Sequence, residues 1–248
     1  MGIPDEQPES VEGKNFLIVG NVGMAKLKQV SDYAEAQASL LAGVYKLDPA
    51  KPVIKGRGTL FVMKRKIDYG EWKMVEDREI PTAVRGHLRF DVVDSYGVMW
   101  PAAEDTEFSL KTLVNEQVAG LMIAEMGQGK LPAWFYNGAG RAVAAAGDAR
   151  DPRVKSMDNA SKGAVANTPN PIDITTNKIG GEPGELIGFA FVKYLAGTNT
   201  KFQATLADIR AGADLDAALN RNYGGNAAQL IGTWSGKGMT AQGNKGKK

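Results

Sequence analysis

The sequence predicts an α+β fold, with a small N-terminal mixed sheet and one helix leading into a mainly helical C-terminal half. Three observations predict it. Apolar runs of strand length cluster before residue 102, helical periodicity dominates after residue 107, and 43% of the 248 residues are hydrophobic, enough for a substantial core.

Residues 15–19 (NFLIV) read as a buried strand. From 24 to 47 the apolar positions Leu27, Val30, Tyr33, Ala34, Ala38, Leu41 and Tyr45 recur at three- and four-residue steps, so a helix is expected until Asp48-Pro49 ends it. Residues 59–63 (TLFVM) form the second strand. A short helix and loop occupy 64–79, anchored by Tyr69, Trp72 and Met74. Residues 87–93 and 96–101 are the remaining strands of the sheet. A long helix follows over 108–126. The next opens at Leu131-Pro132, where proline suits a helix start, and stops at Gly147-Asp148. Residues 151–183 are rich in Gly, Pro, Asn, Thr and Asp and read as a long connection, with a short strand at 172–175. Helices over 185–195, 202–211, 215–223 and 227–234 complete the chain. The expected organisation is a flexible linker (1–13), one domain (14–235; sheet part 14–106, helical part 107–235) and a basic, disordered tail (236–248).

Composition narrows the function classes. The net charge is +2, and the four lysines of the C-terminal segment account for it, so nucleic acid is not an expected partner. Without cysteine there are no disulfides, thiolate metal sites or cysteine nucleophiles. No apolar run reaches transmembrane length. The N-terminus is acidic and proline-containing, unlike a signal peptide. Both the cytoplasm and the bacterial envelope stay open as locations, with the extracytoplasmic envelope slightly favoured.

Residues 112–146 carry the most specific pattern. Leu131-Pro132-Ala133-Trp134-Phe135-Tyr136-Asn137-Gly138-Ala139-Gly140 follows Asn115-Glu116-Gln117-Val118-Ala119, with Asn137 eighteen residues beyond Ala119. This order resembles the core of gluzincin-type metallopeptidases, the peptidase MA-like superfamily. There an H-E-x-x-H helix is followed by P-x-W-(F/L)-x-E-G-(L/A)-A-x-(Y/F). The resemblance extends over roughly 15–235 and implies a zincin-like fold. It also assigns the ligand positions to Asn115, Ala119 and Asn137, and leaves Glu116 as a vestigial catalytic glutamate. Asparagine is a poor zinc ligand and alanine is none. The resemblance therefore implies a pseudo-peptidase with no metal and no cofactor, acting as a protein-binding or structural subunit, with a protein partner or a second copy of itself. It further implies that Asn115, Glu116 and Asn137 meet in one pocket, with Trp134, Tyr136, Tyr69 and Trp72 along its cleft. The rival reading is a metal-independent hydrolase using Glu116. Its partner would be Glu125 or another carboxylate, and Glu125 stands about 13 Å away along the same helix.

Three other features have structural readings as well as functional ones. His87 is the only histidine, so it cannot build a multi-histidine site. Gly20-Asn21-Val22-Gly23 joins a strand to a helix, as a phosphate-binding turn would, but lacks a third glycine and a Walker lysine. Asn159-Ala160-Ser161 matches a glycosylation sequon, read here as chance.

Overall fold

A computed structural model describes residues 7–48, 51–77, 83–91 and 95–236. The α+β reading holds. Five strands form one mixed sheet: β1 (Glu9–Glu12), β2 (Phe16–Gly20), β3 (Gly58–Val62), β4 (Gly86–Arg89) and β5 (Tyr96–Met99), in the order β1-β2-β3-β5-β4. The central pairs β2–β3 and β3–β5 are parallel, and both edge strands run antiparallel to their neighbours. Side chains alternate across the sheet. Phe16, Ile18, Leu60, Val62, Leu88 and Met99 enter the main core. Phe61, Tyr96 and Val98 belong to the opposite face, where α2 (Lys66–Asp77) lays Tyr69 and Trp72 against them.

The main core is closed by α1 (Met24–Val44) and α3 (Glu107–Met126) on the sheet, backed by α4 (Ala133–Gly147) and α6 (Gly181–Ala196). Helix α3 begins where Thr106 caps it, its Oγ1 accepting from Ser109 N at 3.2 Å. It is enclosed on almost every side, which explains why residues 116–124 carry no exposed position. Helices α3, α4 and α6 approach backbone to backbone at glycines. A Cβ on Gly140 would collide with Glu116 O and lie 2.9 Å from Gly120 N. A Cβ on Gly138 would stand 2.6 Å from Gly188 O. The Asn137-Gly138-Ala139-Gly140-Arg141 stretch thus turns one glycine to each neighbouring helix, while Asn137 and Arg141, four residues apart, share a third face.

Helices α7 (Asn199–Arg210), α8 (Leu215–Tyr223) and α9 (Ala227–Ser235) lie close to their expected positions. Gly224, at φ +82°, stops α8, and a reciprocal Asn226/Gln229 capping box starts α9. Among the described residues no helix is long and apolar enough to cross a membrane.

Three expectations need correction. The segment expected to be a linker contributes strand β1 at Glu9–Glu12, because Val11 and its neighbours pair with residues 17–20 of β2. The connection over 151–183 is mostly α5 (Pro152–Asn167), followed by a 3-10 turn at Pro171–Thr176 rather than a strand. Helix α5 starts on an Asp151 cap and Pro152, but buries only Arg153, Val154, Met157 and Ser161, so it has little apolar stripe to reveal it. The strand expected over 87–93 is β4 at Gly86–Arg89, and residues 92–94 lie outside the described part. The expected tail, from 237 on, also lies outside it.

Candidate functional site

The chemistry-bearing residues gather where α4 crosses the open edge of the sheet. Trp100 N donates to Arg85 O at 2.8 Å. In an antiparallel ladder this parity sends the backbone groups of Arg85, His87 and Arg89 toward β5, and those of Gly86 and Leu88 outward. Helix α4 takes up the outward groups. The Asn137 Oδ1 accepts from Leu88 N at 3.0 Å and its Nδ2 donates to Leu88 O at 3.3 Å. Arg141 Nη2 donates to Gly86 O at 2.9 Å. The edge that could otherwise receive an extended peptide is thus covered from within.

Arg141 is fully buried and is the hub of an ion network. Its Nε meets Glu116 Oε1 at 3.1 Å, and its Nη2 meets Glu185 Oε2 at 2.5 Å. Arg153 Nη1, from the first turn of α5, meets the other Glu116 oxygen at 2.8 Å. Lys73 Nζ, from α2, meets Glu185 Oε1 at 2.7 Å. Two acids and three cations therefore tie together α2, α3, α4, α5 and α6. Burial opposes the charge on Glu185, but Arg141 and Lys73 outweigh it and hold the carboxyl down at about 2. Burial likewise opposes the charge on Arg141, and Glu185 and Glu116 reverse that, raising its pKa.

This arrangement separates the positions expected to meet. Asn137 lines a cavity of about 240 Å³ between β4, the start of α4 and the start of α6, whereas Asn115, Glu116 and Ala119 do not line it. Glu116 is 2% exposed and bonded to arginines, Ala119 is packed in the apolar core, and Asn115 is half-buried. The single pocket of Asn115, Glu116 and Asn137 is therefore not formed. The physical reason is that Asn137 is drawn to the β4 backbone and Glu116 to Arg141 and Arg153. Trp134 and Tyr136 line this cavity, and Tyr69 and Trp72 do not. Tyr69 is buried on the far face of the sheet, its hydroxyl 3.1 Å from His87 Nδ1, and Trp72 packs on Phe61. Among the described residues no group of three or more His, Asp or Glu side chains is placed to hold a metal ion.

The Gly20–Gly23 turn has a steric explanation. A Cβ on Gly20 would collide with Val62 O, and the Asn21 Oδ1 accepts from Lys64 N at 2.8 Å, tying the ends of β2 and β3 together. Sequence reasoning missed Arg141, Arg153, Lys73 and Glu185. A usable sign was present: Arg141 stands inside an alanine-rich run and Glu185 opens an apolar helix, where only a paired charge survives burial.

No protein-family model matches the chain, and no curated protein matches it.

Proposed function

We propose that this chain is a non-catalytic, metallopeptidase-like domain that works as a protein-binding or structural subunit of a larger assembly. The observation that carries the reading is the internal use of the polar groups on α3 and α4. Glu116 is 2% exposed and paired with two arginines. Asn137 and Arg141 occupy the edge of β4. A general base needs reach to the proton that it takes, and Glu116 has none. The same fact counts against the rival, a metal-independent hydrolase using Glu116. Burial pushes the Glu125 carboxyl up, but this group lies beside the Lys55 backbone and not beside Glu116. The binding half of the reading draws on α2, where Ile67, Met74 and Val75 are exposed together.

The test joins two measurements on the full chain. Elemental analysis after purification in the presence of zinc should find no stoichiometric metal, and a peptide panel should show no hydrolysis above that of Glu116→Gln. Stoichiometric zinc, or activity lost in Glu116→Gln, would overturn the non-catalytic reading. Light scattering of wild type against Ile67→Ser/Val75→Ser tests self-association through α2, and a mass unchanged by the substitutions would remove this face as a homo-oligomer contact.

A further inference from the structure

We propose that a second cavity, where α7 meets the ends of α1 and α3, binds a compact, uncharged aromatic ring that carries a hydroxyl group. This inference does not depend on whether the chain has lost catalysis. The cavity measures about 270 Å³, below the roughly 300–1,000 Å³ of drug-sized sites, so a single ring suits it better than a fused system. Much of its wall is apolar. Val44 and Met126 are the last residues of α1 and α3, and Ala204, Leu206 and Ala207 come from α7. The two alanines, three residues apart, share one helix face and leave a shallow strip with no side chain beyond Cβ. A planar ring covers such a strip more completely than a branched chain does. The Met126 thioether adds a favourable contact with an aromatic ring.

Two polar groups of the lining have no protein partner. Tyr45 is 7% exposed and lines the cavity, yet its hydroxyl makes no hydrogen bond within the described residues. Unlike the Trp134 indole nitrogen, this oxygen is not sealed from solvent, so a ligand can reach it. Burial pushes the pKa of the hydroxyl up, which keeps it a neutral group that both donates and accepts. The half-buried Gln203 side chain is the second, with neither its carbonyl nor its amide hydrogens bonded within the described residues. A nearly buried hydroxyl without a partner is costly. A ligand hydroxyl, itself both donor and acceptor, satisfies either group. The position of Tyr45 is fixed before any ligand arrives. Arg210 Nη1 donates to Tyr45 O and, at 3.4 Å, to Lys46 O, which ties the end of α1 to α7. The charged residues of the lining do not select an ion. Arg210 is engaged by the carbonyls that follow α1, Lys46 is exposed to water, and no acid lines the cavity. The matching chemistry is a phenol, found both in small free molecules and in the tyrosine side chain of a peptide.

The test is a titration of the full chain followed by nuclear magnetic resonance at the Gln203 side-chain amide and the Met126 methyl group. These signals are assigned by their disappearance in Gln203→Ser and Met126→Leu. The probes are 4-methylphenol, the similarly shaped 1,4-dimethylbenzene, and N-acetyl-tyrosinamide. The expected result is a saturable shift of both signals with 4-methylphenol. Tyr45→Phe, which keeps the ring and removes the hydroxyl, should weaken 4-methylphenol about tenfold and change 1,4-dimethylbenzene by less than about twofold. Tighter binding of N-acetyl-tyrosinamide than of 4-methylphenol assigns the site to a tyrosine side chain, and weaker binding assigns it to free phenols. The absence of a saturable shift in the wild type, or an affinity for 4-methylphenol unchanged by Tyr45→Phe, would overturn the proposal.

Discussion

Arg141→Met removes the hub of the buried network while keeping most of the side-chain volume. Four groups lose a partner together: Glu116 Oε1, Glu185 Oε2, Gly86 O and Glu185 O, at 3.1, 2.5, 2.9 and 3.4 Å in the wild type. Glu116 keeps Arg153 and Glu185 keeps Lys73, so neither carboxylate becomes wholly unpaired. Breaking one partner of a buried ion pair costs about 3–5 kcal/mol, and an orphaned buried carbonyl about 1–3 kcal/mol. These terms overlap, since the retained cations relax toward the acids, and the expected total is about 4 kcal/mol. Against a typical total stability of about 5–15 kcal/mol this is a large share. Urea denaturation followed by far-UV circular dichroism reads the change as a lowered midpoint with an unchanged slope. Glu116→Gln/Arg141→Met should then cost less than the sum of its single substitutions, because the stranded carboxylate has gone. A destabilisation of Arg141→Met below about 1 kcal/mol would mean that the network is solvated, since that is what a solvated pair contributes.

Further outcomes follow from neighbouring contacts. Glu185 has a folded pKa of about 2 against an ordinary value of 4.5, so its ionisation contributes stability fully above about pH 4.5 and loses it as pH falls through about 2. The acid limb of stability against pH, measured between these limits, should therefore be steeper in wild type than in Glu185→Gln, and equal slopes would contradict the network. Asn137→Leu strips two partners from Leu88 and should cost about 2–4 kcal/mol, with faster hydrogen exchange at the Leu88 amide. Gly140→Ala forces a methyl group against Glu116 O and the Gly120 backbone. It should cost about 1–3 kcal/mol by parting α3 from α4, read as a lowered thermal midpoint. By contrast, Val75→Ser on the exposed face of α2 should change stability by less than about 0.5 kcal/mol.

The sequence made the fold legible wherever periodicity and punctuation agreed. The Val30–Ala34–Ala38–Leu41 stripe marks α1, and glycine stops mark the ends of the short helices that close the chain. Helix α5 escaped because its inward face is largely polar, with Arg153 and Ser161 buried beside Val154 and Met157. Strand β1 escaped because a short, acidic edge strand looks like a linker until its partner is known. The candidate site was legible in part. Asn137 was singled out, but as a lost ligand, and its partner across space was not. Which groups a buried arginine pairs with depends on contacts between residues 25 to 55 positions apart, and no local pattern encodes them. The expectation that Asn115 and Asn137 share a pocket failed for the same reason. The Leu88 backbone, on a strand far back in the chain, competes for the Asn137 side chain and captures it.

The Arg141 guanidinium is locked between Glu116 and Glu185. The most direct measurement is solvent exchange of its Nε–H by ¹⁵N-detected spectroscopy on the wild-type chain. A buried, doubly paired guanidinium should exchange orders of magnitude more slowly than free arginine, and Glu116→Gln should accelerate it. Exchange at the free-arginine rate in the wild type would mean that the guanidinium is neither buried nor held by the two glutamates.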